Sequence, residues 1–212
     1  MGKGIKITIM ALIILSICFV LFSQERPKVL LIVREGSSVD KELMLTQEVG
    51  VMLTILSEAG FQVVVGTESG SPLTSETVNL KPDLTLDEVN IDEYEGVIMP
   101  CMGISFRDPA PPKSIELVKQ AVANGLPIAA QVSSLSILAE AKILLGKKFA
   151  SPYDFAAQGD TRYDGAQYIG RGVVQDGNII TSGTCPFMAK TRGLPDGTPE
   201  LTKLLIQLIS KK

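Results

Sequence analysis

An α/β fold, a doubly wound and mostly parallel sheet in a three-layer sandwich, is what this sequence predicts. Three observations predict it. Unbroken apolar runs recur at Lys28–Val33, Phe61–Val65, Gly96–Pro100 and Leu126–Ala130, the pattern of strands buried on both faces of a parallel sheet. Segments with helical apolar spacing fall between those runs, as crossover helices do. The chain has 212 residues, of which 45% are hydrophobic and 20% charged, enough for one domain with a sizeable core.

The chain opens with Met1–Lys6, which carries two lysines. An uncharged apolar run of 16 residues follows, Ile7–Phe22, and polar character returns at Ser23–Pro27. That order is the order of a secretory signal peptide or of an uncleaved amino-terminal anchor. Sixteen residues fall short of the roughly 20 that span a hydrocarbon core. Leu21-Phe22-Ser23 is also a poor small-x-small cleavage site, so both alternatives stand. The organisation expected is a leader or anchor at 1–23 and a single domain at 24–212. The domain is then secreted, periplasmic or membrane-anchored, outside the cytoplasm, and it meets the membrane only through residues 7–22 if these are retained.

Lys28–Val33 is the first strand. Residues 40–58 keep a helical spacing through Leu43, Leu45, Val49, Met52, Leu53 and Leu56, and Gly60 ends that helix. Phe61–Val65 is the second strand. Thr67–Pro82, rich in Ser, Thr and Gly, is a loop with room for a small hairpin. Gly96–Pro100 is the third strand, and its proline marks the exit from the sheet. Pro109, Pro111 and Pro112 lead into a helix over Ser114–Asn124. Leu126–Ala130 is the fourth strand, and it runs straight into a helix within Pro127–Ala141. Asp164–Tyr168 and Val173–Ile180 form a late antiparallel excursion, with Asp176-Gly177 at a tight turn. Leu201–Ile209 is a closing amphipathic helix. There is no internal repeat and no linker long enough for a second domain.

Composition excludes whole classes of chemistry. The chain has no histidine, so no Ser-His, Cys-His or His-metal arrangement can exist in it. Acid–base work near neutral pH falls to a perturbed carboxylate, Cys, Lys or Tyr. The net charge is −3, no Lys/Arg run precedes Lys211-Lys212, and there is no Trp. Nucleic acid is therefore not an expected partner. No cofactor and no metal are expected.

Several stretches in one order carry a resemblance. They are Lys28–Val33, Ala59-Gly60-Phe61 with Val63–Val65, Tyr94–Pro100, Pro127–Ala141 with Gly146-Lys147-Lys148, and Val174–Ser182. Together they resemble the ThiJ/PfpI family of the class I glutamine amidotransferase-like superfamily, over nearly all of residues 28–210. That family includes the parkinsonism-associated protein deglycase, PfpI-type peptidases and cofactor-free glyoxalases. The resemblance implies a flavodoxin-like fold. It also implies a Cys nucleophile at a strand-to-helix elbow, a Glu early in the first helix that hydrogen-bonds the sulfur, and homo-oligomers. Glu48 lies twelve residues before Gly60, the spacing the family's Glu keeps, with an insertion of about seven residues around Gly36–Leu43 relative to shorter relatives. An ordinary exposed helix position is the other reading of Glu48.

Aligning Ile137–Ala141 sets the elbow at Val132 and the following position at Ser133, so both reactive groups of the family pattern are missing. A β-branched residue is unfavourable in a strained elbow, and the backbone is expected to relax there. A serine nucleophile would need a nearby base. Lys142 lies more than two helical turns away, so Ser133 and Ser134 are expected to cap the helix instead. Cys101 follows the third strand, where the family places a Gly-rich oxyanion-type loop that here includes Gly103. Cys185 follows Ile179–Ser182, in a loop that the resemblance implies is brought towards the same end of the sheet. The two form a disulfide, or sit as half-buried thiols, or one is a relocated reactive thiol with Glu48. The function expected is a family domain without elbow-Cys catalysis that binds a small molecule through the turn at Val132–Ser134. The alternative is a divergent hydrolase-, glyoxalase- or deglycase-type enzyme using Cys101 or Cys185 with Glu48.

Overall fold

The computed structural model describes residues 26–36, 40–101 and 109–211. The leader segment and Gly103 lie outside the described residues. A seven-stranded sheet forms the centre. Its strands are β1 (Lys28–Ile32), β2 (Gln62–Thr67), β5 (Leu84–Thr85), β6 (Gly96–Met99), β7 (Ile128–Gln131), β10 (Val173–Asp176) and β11 (Ile179–Ser182). They lie in the order β10-β11-β7-β6-β1-β2-β5. All pair in parallel except β10, which pairs antiparallel with β11.

The unbroken apolar runs have the predicted cause. Val29, Leu31 and Val33 join Ile98, Ala129 and Ile180 on one face, while Leu30 and Ile32 join Val97, Met99, Ile128 and Ala130 on the other. Burial of each such Val, Leu or Ile stabilises by roughly 1.5–3 kcal/mol, so both faces must be covered. The first face is covered by helices α1, within residues 41–58, and α5 (Thr198–Ile209). The second is covered by α2 (Pro112–Ala123) and α3 (Leu135–Glu140).

Several elements differ from their expected form. Helix α1 is α-helical at Lys41–Leu43 and Gly50–Glu58 but π-helical over Met44–Val49, where the Gly50 N–H reaches back to the Leu45 carbonyl. The loop after β2 holds a two-stranded hairpin, β3 (Leu73–Thr74) with β4 (Asn79–Leu80), and β5 then adds an edge strand to the main sheet. In the late excursion only β10 and β11 are antiparallel. β9 (Gln167–Tyr168) instead runs parallel to β8 (Lys148–Phe149) in a separate ribbon, where Phe149 stacks on Tyr163. A further helix, α4 (Pro186–Arg192), was not anticipated from the sequence. Among the described residues, no helix is long and apolar enough to cross a membrane.

From β1 the chain winds outward through β2 to β5, then returns to β6 and winds the other way through β7 to β11. The direction reverses between β1 and β6. Ligands of open α/β sheets bind at that reversal, outside the carboxyl ends of the strands.

Candidate active site

Strand β7 ends at Gln131, and Val132–Ser134 make one 3₁₀ turn before α3. Val132 has φ 47°, in the left-handed region. For an L-residue with a β-branched side chain this costs roughly 1–3 kcal/mol. The expected relaxation of the elbow therefore does not occur.

The flanking contacts explain why. Ser134 Oγ donates to the Pro100 carbonyl at 2.5 Å, tying the turn to the end of β6. Gln131 Nε2 donates to the Thr184 carbonyl at 2.6 Å and to Thr198 Oγ1 at 2.9 Å, tying it to the loop after β11 and to α5. The Val132 side chain is buried against Cys185 and Met188. Three neighbouring elements over-determine the turn, and the strain persists. Neither Ser133 nor Ser134 caps the helix as expected. Their hydroxyls face β6 instead, Ser133 Oγ lying 3.6 Å from Cys101 Sγ.

The two cysteines and Glu48 converge on this turn. Glu48 is fully buried on the π-helical stretch, and its Oε1 accepts the Cys101 N–H at 2.7 Å. Its Oε2 has no hydrogen-bond partner among the described residues. Burial pushes the Glu48 carboxyl well above the usual carboxylate range, and the Cys185 sulfur adds to this. Burial thus favours the protonated, neutral form of Glu48.

Cys101 and Cys185 are free thiols packed in one apolar cluster with Val132 and Met188. The neighbouring Cys185 and burial push the Cys101 thiol up, while the Cys101 thiol beside it draws Cys185 down. Cys185 precedes α4, and the Met188 and Phe187 N–H groups also favour its thiolate. The Ser133 N–H reaches the Cys101 sulfur. Cys101 is half-buried, whereas Cys185 is 1% exposed. The fold brings Glu48, Cys101, Val132, Ser133 and Cys185 together. Among the described residues no group of three or more Cys, Asp or Glu is placed to hold a metal ion.

Two features have no counterpart in the sequence reading. Arg34, just beyond β1, is buried, and its Nη1 lies 3.5 Å from Ser136 Oγ at the start of α3. With Glu68, Leu86, Asp87 and Pro109–Lys113 it lines a cleft of about 630 Å³ at the same edge of the sheet. No local pattern marks a lone Arg after a strand. Helix α4, by contrast, was detectable from Pro186 at its first position and Gly193 just past its end.

The model of the DJ-1/PfpI family matches residues 28–190. The chain belongs to this family. Deglycase PfpI of Pyrococcus furiosus is 31% identical over 128 residues, 60% of this chain and 76% of that protein. An uncharacterised protein of Methanocaldococcus jannaschii is 30% identical over 175 residues, 81% of this chain and 82% of its own. Among solved structures, a ThiJ/PfpI domain protein from Brachyspira murdochii superposes with TM-score 0.66 at 18% identity, over 88% of this chain and 99% of that one. DJ-1beta of Drosophila melanogaster gives 0.64 at 22%, over 88% and 96%. Those two likenesses bear on the fold. The DJ-1/PfpI elbow, as the resemblance assigns it, falls on the strained turn at Val132.

Proposed function

We propose that this DJ-1/PfpI domain has kept the family's pocket and lost its elbow nucleophile, and that it binds a small polar carbonyl compound without elbow-thiol catalysis. The observation that carries this reading is Val132 at φ 47°. A turn freed from all function would shed such strain through substitution by Gly, whereas here the geometry stays and only the reactive side chain is absent. The retained turn sets the Ser133 N–H beside the Cys101 sulfur at the carboxyl ends of the strands, and Arg34, hydrogen-bonded to Ser136 at the start of α3, lines a separate cleft at that end of the sheet. A carbonyl or carboxylate oxygen suits both groups. The domain works as a homo-oligomer, and residues 1–23 deliver it across a membrane or hold it there.

Glyoxylate, an aldehyde that is also a carboxylate, tests the proposal. It should raise the melting temperature by mass action while its concentration stays unchanged on prolonged incubation. Absence of a thermal shift counts against binding.

A second reading has its own support. Four similar proteins carry the name deglycase, and Cys101, Cys185 and Glu48 meet at the turn. In that reading Cys101 attacks an aldehyde carbon, Cys185 takes its proton, and Glu48 donates one to the oxygen. The aldehyde hydrogen of a dicarbonyl such as glyoxal then moves to the neighbouring carbon and water hydrolyses the resulting thioester, so conversion of glyoxal to glycolate abolished by Cys101→Ser would establish this alternative.

A further inference from the structure

We propose that Cys101 and Cys185 form a dithiol–disulfide couple that reduces low-molecular-weight disulfides. This goes beyond ligand binding at the elbow and stands whether or not that pocket is filled. The two thiols come from separate elements, the exit of β6 and the entry of α4, yet pack in one apolar cluster with Val132 and Met188. Their roles differ by exposure. Cys101 is half-buried and within reach of a small solute, while Cys185 is 1% exposed and shielded by Val132 and Met188.

The surroundings hold both cysteines in place. The Cys101 backbone is held by Glu48 Oε1 at 2.7 Å, and Ser133 lies against its sulfur at 3.6 Å. The Cys185 sulfur receives the N–H groups of Phe187 and Met188 at the first turn of α4. The loop that presents Cys185 is itself fixed, because the Thr184 carbonyl accepts from both Gln131 Nε2 at 2.6 Å and Ser182 Oγ at 2.8 Å. Both cysteines thus sit on well-held supports within one apolar cluster.

Atoms and electrons balance in the exchange. Cys101 gives its proton to solvent and attacks one sulfur of the incoming disulfide RS–SR. This forms a Cys101 mixed disulfide and releases RS⁻. Cys185 then gives its own proton to the released thiolate, which leaves as RSH, and attacks the Cys101 sulfur. The protein disulfide forms and a second RS⁻ departs, to be protonated from solvent. Two thiols of the protein are oxidised, and one disulfide is reduced to two thiols. The buried Cys185 serves as the resolving nucleophile.

The test uses the full chain, reduced and then exposed to oxidised glutathione, quenched with N-ethylmaleimide and mapped residue by residue by mass spectrometry. The mapping keeps Cys18 separate. Wild type should lose the maleimide label at both Cys101 and Cys185 and yield a peptide pair joined through them. Cys185→Ser should stop at a stable mixed disulfide on Cys101. Full labelling of both residues in wild type, or a wild-type mixed disulfide that never resolves, overturns the proposal. The wild-type result decides on its own, whether or not the variant folds well.

Discussion

Glu48 shows how one residue can be legible in type and illegible in state. Its spacing to Gly60 marked it, but its neighbours left its face open. The structure buries it fully, with one carboxyl oxygen unpartnered among the described residues. A carboxyl whose folded pKa is raised binds more protons folded than unfolded. Stability is then fully present below the ordinary carboxylate range and falls as pH rises from there toward the folded value. Each unit of pH in that window removes up to about 1.4 kcal/mol. We expect Glu48→Gln, which keeps an oxygen for the Cys101 N–H, to flatten that decline in urea-unfolding free energies measured from pH 5 to 8. An unchanged slope would mean that Glu48 is ionised in the fold. The elbow teaches the converse. Local propensity argued that Val132 would relax its turn, and contacts from β6, α5 and the β11 loop override it.

At the scale of elements, the four parallel strands and their crossover helices were legible because burial on both faces removes alternation from the sequence. What was not legible depends on partners distant along the chain. The edge strand β5 has two residues and exists through pairing with Gly66 and Thr67. The β8–β9 ribbon is likewise a pairing of two-residue strands, beneath stacked aromatic rings. The loop between β11 and α4 sets the position of Cys185, and Gly183 is its tightest point. A Cβ there would sit 2.6 Å from the Ser151 backbone and 2.7 Å from the Arg171 carbonyl. Since both neighbours are backbone, neither yields cheaply. Gly183→Ala should cost about 3 kcal/mol in denaturant unfolding. A cost below about 1 kcal/mol would show that the loop adapts and does not hold Cys185 rigidly.

At the scale of the whole molecule, the chain reversal between β1 and β6 explains why the candidate residues meet. Glu48 follows β1, Cys101 ends β6, and Val132 ends β7, so three consecutive positions in the sheet present their carboxyl ends to one region. That convergence follows from the winding alone, whereas the free state of the thiols and the buried Arg34 come from packing. The leader belongs to this scale too. If residues 1–23 are a cleaved signal, the intact mass of protein recovered from its native host should correspond to a chain beginning at Gln24. A mass that includes Met1 or Gly2 would favour the retained anchor.

An elbow that keeps its geometry and lacks only its reagent should regain chemistry when the reagent is restored. Consumption of glyoxal by wild type beside Val132→Cys measures this, with folding of both checked by circular dichroism. Wild type should cause no loss of glyoxal above the buffer rate, and Val132→Cys should give a measurable, protein-dependent rate. Turnover by wild type that disappears in Cys101→Ser or Cys185→Ser would contradict the retained, unreactive elbow and move the chemistry to the neighbouring thiols.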